Sequence, residues 1–453
     1  MLHLYDTAAQ EVRPLAMRDA GSISIYLCGP TVYGPPHIGH GRATLVYDIL
    51  CRYLEWTGLT VRLVSNITDI DDKIIERAHR ESRPWGEIAT KCENIWFDAM
   101  GRLGVQRPND VPHATEYVDS MVSMIGELVA KDSAYTTDDG VYLSIEKVPD
   151  YGLLAHQNID DMLAGGGDRV VFGADQKRHP ADFVLWKFSK PGEPAWPSPW
   201  GEGRPGWHSE CVVMSLDLLG EGFDLHCGGA DLRFPHHENE RAQAVALGKK
   251  FANHWMHNGF VVDIEGEKMS KSLGNVSNLL DLLDQYDARA YRLLLLQTHY
   301  RSPVRVGKEN LDASVSALSG LDGFVARSAA NSGGVADAEV LAKFRIAMNN
   351  DLDTPAATAL IFDSVRQANV AIDDNQADVV IALRSAILEM TSALGLFLNE
   401  SQEIDAEISA KAAALDAART AKDFSAADAL RDELQSLGYV VETTKEGTRV
   451  RRG

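Results

Sequence analysis

Hydrophobic and polar positions follow two different periods near the start of the chain. An apolar run, residues 23–27, leads into a polar stretch at residues 28–40. Across residues 42–56 the apolar positions recur at helical spacing, and Gly58 stands where a glycine that ends a helix is expected. A second apolar run at residues 59–64 completes a predicted β-α-β unit.

This unit predicts where a ligand binds. In open α/β sheets ligands collect beyond the carboxyl ends of the strands, and the N-terminus of a helix favours anionic phosphate. Cys28, His37 and His40 fall at that place in the pattern. The polar, acidic residues 65–73 follow the second strand at the same edge. They fit a helix N-terminus with Thr68 or Asp69 as its cap and acids in the first turn, and this interpretation is compatible with a role in a substrate site.

The texture of the chain changes after this first half. Proline, glycine and tryptophan accumulate from about residue 108, which indicates an insertion. The α/β pattern then resumes, with strands predicted at 223–226 and 255–262, a turn at 227–231 and a helix at 236–246. Beyond about residue 305 the apolar positions have helical spacing and predict a bundle, followed by a terminal strand near residues 439–442.

We therefore predict an α/β protein with a Rossmann-like, doubly wound parallel sheet that is split by an insertion. An α-helical bundle and a small C-terminal domain follow the sheet. The predicted boundaries are 1–107 and 204–265 for the two halves of the sheet domain, 108–203 for the insertion, 266–305 for a lysine-rich loop and the region after it, 306–400 for the bundle and 401–453 for the C-terminal domain.

The composition of the chain mainly excludes classes of protein and of binding. The chain has 453 residues and a formal net charge of −21, which opposes non-specific binding to nucleic acid. No apolar run reaches transmembrane length, and the first residues lack the layout of a signal peptide. We therefore expect a cytoplasmic protein with no membrane contact. The five cysteines are odd in number and widely spaced, which favours metal ligation or simple burial over disulfides.

Four residues form a candidate metal site. Cys28, Cys211, His236 and Glu240 are ligand types for zinc. His236 and Glu240 are four apart and would share one face of a helix. Cys28 and Cys211 belong to the two halves of the predicted sheet, each near a strand end. The alternative is that both cysteines are buried as small hydrophobic residues.

Two short motifs form a candidate phosphate site. His37 and His40 open the first helix, and Lys268 and Lys271 lie in the loop after the last predicted strand. Taken alone, the two histidines could be a structural pair, and the two lysines could belong to an ordinary solvated loop. Their joint placement in the two halves of one sheet favours a site that flanks a triphosphate from opposite sides.

These two motifs, in this order, resemble those of class I aminoacyl-tRNA synthetases. Longer motifs narrow the resemblance to the cysteinyl-tRNA synthetases, over the chain from about residue 2 to its end. These motifs are CGPTVY at 28–33, NITDIDDK at 66–73, PGWHSEC at 205–211 and FPHHENE at 234–240.

The resemblance implies one zinc ion per chain on the four metal candidates, and ATP with Mg²⁺, L-cysteine and tRNA(Cys) as substrates of a monomeric enzyme. His37, His40 and Lys268 would act on ATP, and Lys271 would stabilise charge as the adenylate forms. The residues implied for cysteine and its adenylate are Gly29, Thr31, Thr68, Trp207 and Asp231, with His226 behind them.

Zinc suits the selection of cysteine over serine, which differ only by sulfur and oxygen. Discrimination of about 10⁴ to 10⁵ is needed in such systems, and a soft thiolate prefers zinc far more than a hydroxyl does. The sequence leaves open whether the substrate would become a fifth ligand or displace Glu240. Nothing in the insertion indicates an editing site.

The C-terminal motifs depart from the family pattern at two aromatic positions. Phe424 and Val450 stand where the family often has tryptophan. Phenylalanine can still stack on a base, whereas valine cannot. Arg419, Phe424 and Asp428 are the anticodon-region candidates, and an amphipathic packing helix is the alternative for all three.

Two other functions compete with the ligase. One is the related ligase of mycothiol biosynthesis, which the same resemblance implies would join activated cysteine to an amino sugar. That family lacks a tail comparable to residues 404–453. The other is a catalytically inactive tRNA-binding paralogue, from which loss of the ligands or lysines would be expected; this chain keeps them all.

Overall fold

The computed structural model describes residues 1–156, 176–262, 278–399, 406–444 and 447–452. These residues form two compact units. The first comprises Met1–Ala288, Thr298–Val306 and Ala347–Thr354, and the second comprises Arg289–Gln297, Gly307–Ile346 and Pro355–Gly453. Lys268, Lys271 and the glycine-rich stretch near residue 166 lie outside the described residues.

The secondary structure alternates between strands and helices up to about residue 262 and is mainly helical afterwards. The strands are β1 His3–Asp6, β2 Glu11–Pro14, β3 Ser22–Leu27, β4 Thr60–Ser65, β5 Ala134–Thr136, β6 Gly140–Leu143, β7 Phe183–Phe188, β8 Gly203–Pro205, β9 Leu225–Gly229, β10 Trp255–Asn258, β11 Val261–Val262, β12 Val304–Arg305, β13 Tyr439–Thr444 and β14 Gly447–Arg452. The helices are α1 Ile38–Trp56, α2 Asp72–Glu81, α3 Trp85–Arg102, α4 Val118–Ala130, α5 Trp207–Leu219, α6 Glu238–Leu247, α7 Leu279–Gln285, α8 Ala288–Leu296, α9 Lys308–Arg327, α10 Ala338–Asn349, α11 Thr354–Asp373, α12 Ala377–Ala393, α13 Ala406–Thr420 and α14 Phe424–Ser436.

The first unit is built on a four-stranded parallel sheet, which confirms the predicted α/β fold class. Its strand order is β10-β9-β3-β4. From β3 the chain runs to β4 on one side, whereas β9 and β10 are added on the other side. The strand order therefore reverses between β3 and β9, and such a switch point opens a crevice at the carboxyl ends of the strands. Cys28 follows β3 at that point, and its N–H donates to the carbonyl of Cys227, 3.2 Å away.

The insertion carries a sheet that the sequence analysis did not predict. Strands β5, β6, β7 and β8 form a four-stranded antiparallel sheet in chain order. Its apolar face is buried together with α4, α5 and α6 in one hydrophobic cluster. The insertion is therefore a packed layer of the first unit. Its strands have only three to six residues, which explains why no clear period appears in the sequence.

Four predicted elements differ in detail from the structure. The strand expected at 223–226 is Leu225–Gly229, so the turn expected at 227–231 is wrong at its start, where Cys227, Gly228 and Gly229 belong to β9. A Cβ atom at Gly228 would lie 2.7 Å from Cε1 of His237, so these glycines allow close packing at a strand end. The helix expected from residue 236 begins at Glu238, after an irregular helical turn at Arg233–His237. The strand expected at 255–262 is interrupted between β10 and β11.

The second unit is helical, as predicted, and ends in a small domain. In that domain α13, α14 and the hairpin β13–β14 enclose a core that includes Leu415, Leu434 and Val450. Val450 is 6% exposed, so the residue that stands in place of the family's tryptophan points into the core. The strand near residues 439–442 is confirmed, and the arginine-containing tail is its antiparallel partner.

Candidate active site and metal centre

A cavity of about 540 Å³ lies at the switch point of the parallel sheet. Most of the residues predicted to bind substrate border it. They are Cys28, Gly29, Thr31, His37, His40, Trp207 and Asp231. Thr68 and His226 are buried behind this surface, with 1% and 0% of their areas exposed. The structure thus brings the two halves of the sheet domain together around one crevice, as the motifs predicted.

Gly29 is required by a close approach between two loops. A Cβ atom at this position would lie 1.6 Å from the backbone oxygen of Asn66, which excludes every other residue. The N–H of Gly29 donates to Oδ1 of Asn66 at 2.8 Å. Thr31 and Thr68 form a parallel bridge next to this contact. The loops after β3 and β4 are therefore fixed to each other where they enter the cavity.

A buried polar network supports these loops from behind. The hydroxyl of Thr68 donates to Oε2 of Glu210 at 2.6 Å and accepts from Nδ2 of Asn66 at 3.3 Å. Burial raises the pKa of Glu210 well above its ordinary value. Thr68 thus positions the loop after β4 in this structure. Asn66 and Glu210 belong to the quoted motifs, but the sequence analysis assigned them no role.

The four metal candidates converge beside the cavity, which Cys28 borders, while Cys211, His236 and Glu240 are buried behind it. Their ligand atoms all lie within 4.8 Å of one another. Sγ of Cys28 is 3.6 Å from Sγ of Cys211 and 3.4 Å from Oε1 of Glu240, and Sγ of Cys211 is 3.7 Å from Nε2 of His236. The edges of a tetrahedral zinc shell with thiolate and imidazole ligands are about 3.3–3.8 Å. Nε2 of His236 and Oε1 of Glu240 are closer, at 2.8 Å, which is a hydrogen-bond distance. The donor set and the three distances that involve a cysteine therefore fit a zinc ion.

The electrostatics of this cluster are those of a cation site. Burial alone would raise the pKa of Glu240, but the imidazoles of His236 and His226 hold it well below its ordinary value. Burial opposes protonation of His236, yet the nearby carboxylate of Glu240 and thiol of Cys211 raise its pKa to about 10. Burial, Cys211 and Glu240 raise the pKa of the Cys28 thiol well above its ordinary value. A cation bound here would compete with these protons.

A second group of potential ligands shares two members with the first. His226 and His237 also have ring nitrogens within 4.8 Å of the ligand atoms of Cys28 and Glu240. Nε2 of His226 is 2.8 Å from Oε2 of Glu240, and Nε2 of His237 is 3.2 Å from Sγ of Cys28. His237 is not among the site residues predicted from the sequence. Its only signal was its position beside His236 in the motif FPHHENE.

His236 is held by the two residues that begin α5. The ring of Trp207 stacks on the ring of His236, with centroids 3.9 Å apart. Nδ1 of His208 lies 2.9 Å from Nδ1 of His236. Burial, followed by the charge on His236, lowers the pKa of His208 well below its ordinary value, which favours the neutral ring. Nδ1 of His208 can therefore accept a hydrogen bond from Nδ1–H of His236, which leaves Nε2 free to bind a metal.

His37 and His40 cap the N-terminus of α1 reciprocally. The N–H of His40 donates to Nδ1 of His37 at 3.2 Å, and the N–H of His37 donates to Nδ1 of His40 at 3.1 Å. Both Nδ1 atoms are acceptors, so each neutral ring carries its proton on Nε2. Gly39 allows this arrangement, because a Cβ atom there would lie 2.9 Å from Cε1 of His37. The pair offers two N–H donors at a helix N-terminus, where anions bind.

The three tRNA candidates lie in the C-terminal domain. Phe424 begins α14 and is 69% exposed. Asp428 is also exposed and lies one helical turn away. Nη1 of Arg419 donates to Oγ1 of Thr448 at 2.9 Å, and the same hydroxyl donates to Asp416. Arg419 therefore ties α13 to the hairpin, while Phe424 and Asp428 face solvent.

Comparison with protein families gives three matches along the chain. The tRNA synthetases class I (C) catalytic domain matches residues 14–316. The DALR domain matches residues 343–399, and the cysteinyl-tRNA ligase anticodon binding domain matches residues 406–451.

Relatives match over their full length. The chain is 42% identical to the cysteine–tRNA ligase of Halorhodospira halophila, covering 100% of both chains. It is 42% identical to that of Geobacter sulfurreducens, covering 99% of this chain and 98% of the relative.

Solved structures of synthetases share the fold at low sequence identity. Methionyl-tRNA synthetase of Mycobacterium tuberculosis, in complex with methionyl-adenylate, has a TM-score of 0.59 at 14% identity, covering 82% of this chain and 89% of that one. The Agrobacterium radiobacter K84 agnB2 LeuRS in a ternary complex has a TM-score of 0.60 at 12% identity, covering 85% and 84%.

Proposed function

The chain belongs to the cysteine–tRNA ligase family, and on this premise we propose that it activates L-cysteine with ATP and then transfers it to the 3′ end of tRNA(Cys). In the first step the carboxylate of cysteine attacks the α-phosphorus of ATP, and pyrophosphate leaves. In the second step a hydroxyl of the terminal ribose attacks the acyl carbon, and AMP leaves. One observation carries the proposal for the site: a cluster of thiol, imidazole and carboxylate groups reaches, through Cys28, the same cavity that two histidines at a helix N-terminus border.

We propose that the metal is zinc, one per chain, held by Cys28, Cys211, His236 and Glu240. Two thiolates and an imidazole favour zinc over a hard cation. When bound, zinc supplies a soft Lewis acid that a thiolate ligates far better than a hydroxyl does. The chain's own contribution is to hold these four side chains together and to place Trp207 and Asp231 around the rest of the substrate.

The contact between His208 and His236 leads to a testable effect on the metal. We expect His208→Leu to weaken zinc affinity about 10- to 100-fold, because the hydrogen bond that orients His236 is lost. Zinc affinity is measured by competition with a chelator of known affinity. His208→Asn is the matched control, since its Oδ1 can take the place of Nδ1 as acceptor. Equal affinity in the Leu and Asn variants would contradict the role of this hydrogen bond.

We propose that His37 and His40 bind the phosphates of ATP, which is carried with Mg²⁺, and that Lys268 and Lys271 complete the charge around them. The reciprocal caps support the two histidines, since each cap engages Nδ1 and so places the ring proton on Nε2. The lysines lie outside the described residues and their role rests on their position in the sequence. The chemistry asks mainly for positioning and for donors toward developing charge.

We propose that the C-terminal domain binds tRNA through Arg419, Phe424 and Asp428, with Phe424 stacking on a base. Its exposure supports this role. Stacking of a base on an aromatic side chain is worth about 1–3 kcal/mol. We expect Phe424→Ala to lower kcat/KM for tRNA about 5- to 150-fold in charging assays. Pyrophosphate exchange in the absence of tRNA should be unchanged.

Leu437→Ala is the control for this prediction. Leu437 is an exposed apolar residue of the same domain, 50% accessible, and has no proposed tRNA contact. Charging by Phe424→Ala at the wild-type rate would exclude the stacking role. A loss shared equally by both variants would instead indicate damage to the domain.

We also propose that the enzyme acts as a monomer in the cytoplasm, where translation supplies its substrates. In the part of the chain that the structure describes, no helix is both long and apolar enough to cross a membrane. The mass by sedimentation at working concentration tests the monomer.

The whole proposal is tested by measuring cysteine-dependent ATP–pyrophosphate exchange beside transfer of labelled cysteine to total tRNA. Exchange with charging is the expected result. Exchange without charging would leave the activation site intact and move the acceptor to a small amine, as in the amino-sugar ligase. Zinc binding without exchange would favour an inactive tRNA-binding paralogue.

A further inference from the structure

Arg42 is a charged residue buried inside the first unit. It lies two positions after His40 on α1 and is 1% exposed. Its guanidinium donates to three backbone carbonyls, at Phe260 with 2.5 Å, at Tyr300 with 3.0 Å and at Ser302. Burying a cation is costly unless its donors are satisfied. These contacts offset part of that cost, and they tie α1 to two other segments of the chain.

The three carbonyls lie where those two segments run side by side. The N–H of Gly259 donates to the carbonyl of Tyr300 at 2.8 Å, and the N–H of Val304 donates to that of Phe260 at 3.0 Å. The segments then continue as the parallel pair β11 and β12. A Cβ atom at Gly259 would lie 2.5 Å from the oxygen of Arg301 and 2.7 Å from that of Ser302. The two segments are therefore in direct backbone-to-backbone contact.

Several carbonyl oxygens crowd together where the two segments meet, and their partial negative charges repel one another. The guanidinium of Arg42 lies among three of them and counters that repulsion. A planar guanidinium can donate to several acceptors at once, whereas an ammonium group is a single compact charge. Arginine is therefore better suited than lysine to this position.

One of these two paired segments also forms part of the wall of the active-site cavity. Gly259, Phe260 and Val261 border the same cavity as His37 and His40. Arg42 lies on the helix whose N-terminus carries those histidines, and it donates to the carbonyl of Phe260 in this part of the wall. None of the three residues whose carbonyls it binds is a metal-ligand candidate. The contact thus concerns the spacing between the histidines and this wall.

We propose that Arg42 is a positioning residue for adenylate formation. It rests on the function proposed above for His37 and His40, and it adds that the buried guanidinium sets the distance from their helix to the cavity wall at Gly259–Val261. A misplacement of about 1 Å can lower a rate about 10²-fold. Loss of Arg42 should therefore slow the reaction with ATP more than it weakens binding of cysteine or zinc.

The test compares Arg42→Lys and Arg42→Met with Arg52→Lys. Arg52 lies on the same helix but donates to the carboxylate of Asp48 at 2.8 Å and to the carbonyl of Gly104 at 3.0 Å, outside the two segments that Arg42 joins. Pyrophosphate exchange gives kcat and separate KM values for ATP and cysteine, and zinc content is measured on the same samples. Rates are expressed per active site, counted by the burst of adenylate in a single turnover.

We expect Arg42→Lys to lower kcat about 10- to 100-fold and to raise KM for ATP, with KM for cysteine and zinc content near wild type. Arg42→Met should be slower still, because it keeps the bulk but no donor. Arg52→Lys should match the wild type. The partial rescue by lysine is a result that a merely space-filling role would not give.

Two outcomes would overturn the inference. One is a wild-type rate per active site in Arg42→Lys with only a lower melting temperature. The other is a parallel loss of kcat, cysteine affinity and zinc, which indicates general unfolding of the site. His40→Asn separates a failure of the proposed ATP site from a failure of the positioning role of Arg42. If His40→Asn is also fully active, the proposed ATP site is wrong; if only Arg42→Lys is fully active, the positioning role alone fails.

Discussion

Cys211→Ala is expected to lose its bound zinc and most of its preference for cysteine over serine. Sγ of Cys211 lies 3.6 Å from Sγ of Cys28 and 3.7 Å from Nε2 of His236, so its removal takes away one side of the metal cluster. Discrimination of about 10⁴ would fall at least about 100-fold, since the remaining contacts differ little between a hydroxyl and a thiol. Elemental analysis gives the zinc content, and kcat/KM for each amino acid in pyrophosphate exchange gives the selectivity.

Cys227→Ala is the matched control for this experiment. Cys227 is also a fully buried free cysteine of the first unit, but it belongs to neither group of potential metal ligands. Its variant should keep zinc and selectivity, even if the loss of a buried sulfur lowers stability. Full zinc content in Cys211→Ala would exclude the assigned ligand set. Loss of zinc with unchanged selectivity would separate the metal from the choice of substrate.

Local pattern in the sequence was enough to predict the centre of the fold. The β3-α1-β4 unit has an apolar run, a helical period and a second apolar run, and all three agree with burial in the structure. The short strands of the insertion gave no such signal. Strand β7 pairs with β6 across about 40 residues of chain, and a pairing of that separation has no local signature.

The metal candidates were predicted by chemistry, but their surroundings were not. Cysteine, histidine and glutamate are ligand types for zinc, but simple burial explained the two cysteines as well, and the resemblance to the family made the metal site the stronger prediction. His208 and His237 stand in the same motifs, yet only tertiary contacts reveal that one holds His236 and the other faces Cys28. The same holds for Arg42. In the sequence it is an ordinary arginine on an amphipathic helix. Only the pairing of two segments that are distant in the sequence provides the three backbone carbonyls that accept its hydrogen bonds.

Thr68 was predicted to line the pocket, but in the structure it lies behind the pocket surface. The family resemblance implied that it belongs to the pocket for cysteine and its adenylate. In the structure it is buried and donates to Glu210, so it lies one layer behind the cavity surface. A motif identifies residues that a site requires, but it does not separate those that touch a ligand from those that hold the loop in place.

His40→Asn is expected to lower the rate of adenylate formation on the order of 10²- to 10³-fold, which is the usual cost of removing one donor aimed at developing charge. The asparagine Oδ1 can still accept from the N–H of His37, as Nδ1 does now at 3.1 Å, so the cap of α1 is kept. What disappears is the Nε2–H group. Single-turnover formation of adenylate at saturating cysteine and ATP measures the effect, and KM for cysteine and zinc content should stay near wild type.

His40→Gln completes this experiment, because it reverses the two functions of the ring. The longer side chain can place an amide N–H near the position of Nε2 but cannot cap the helix in the same way. We therefore expect the glutamine variant to keep more of the adenylation rate and to be the less stable of the two in thermal unfolding. If the asparagine variant were the faster enzyme, the histidine would act through the helix cap and not through its Nε2–H donor. The loss in stability would then parallel the loss in rate, and the capping hydrogen bonds would explain both.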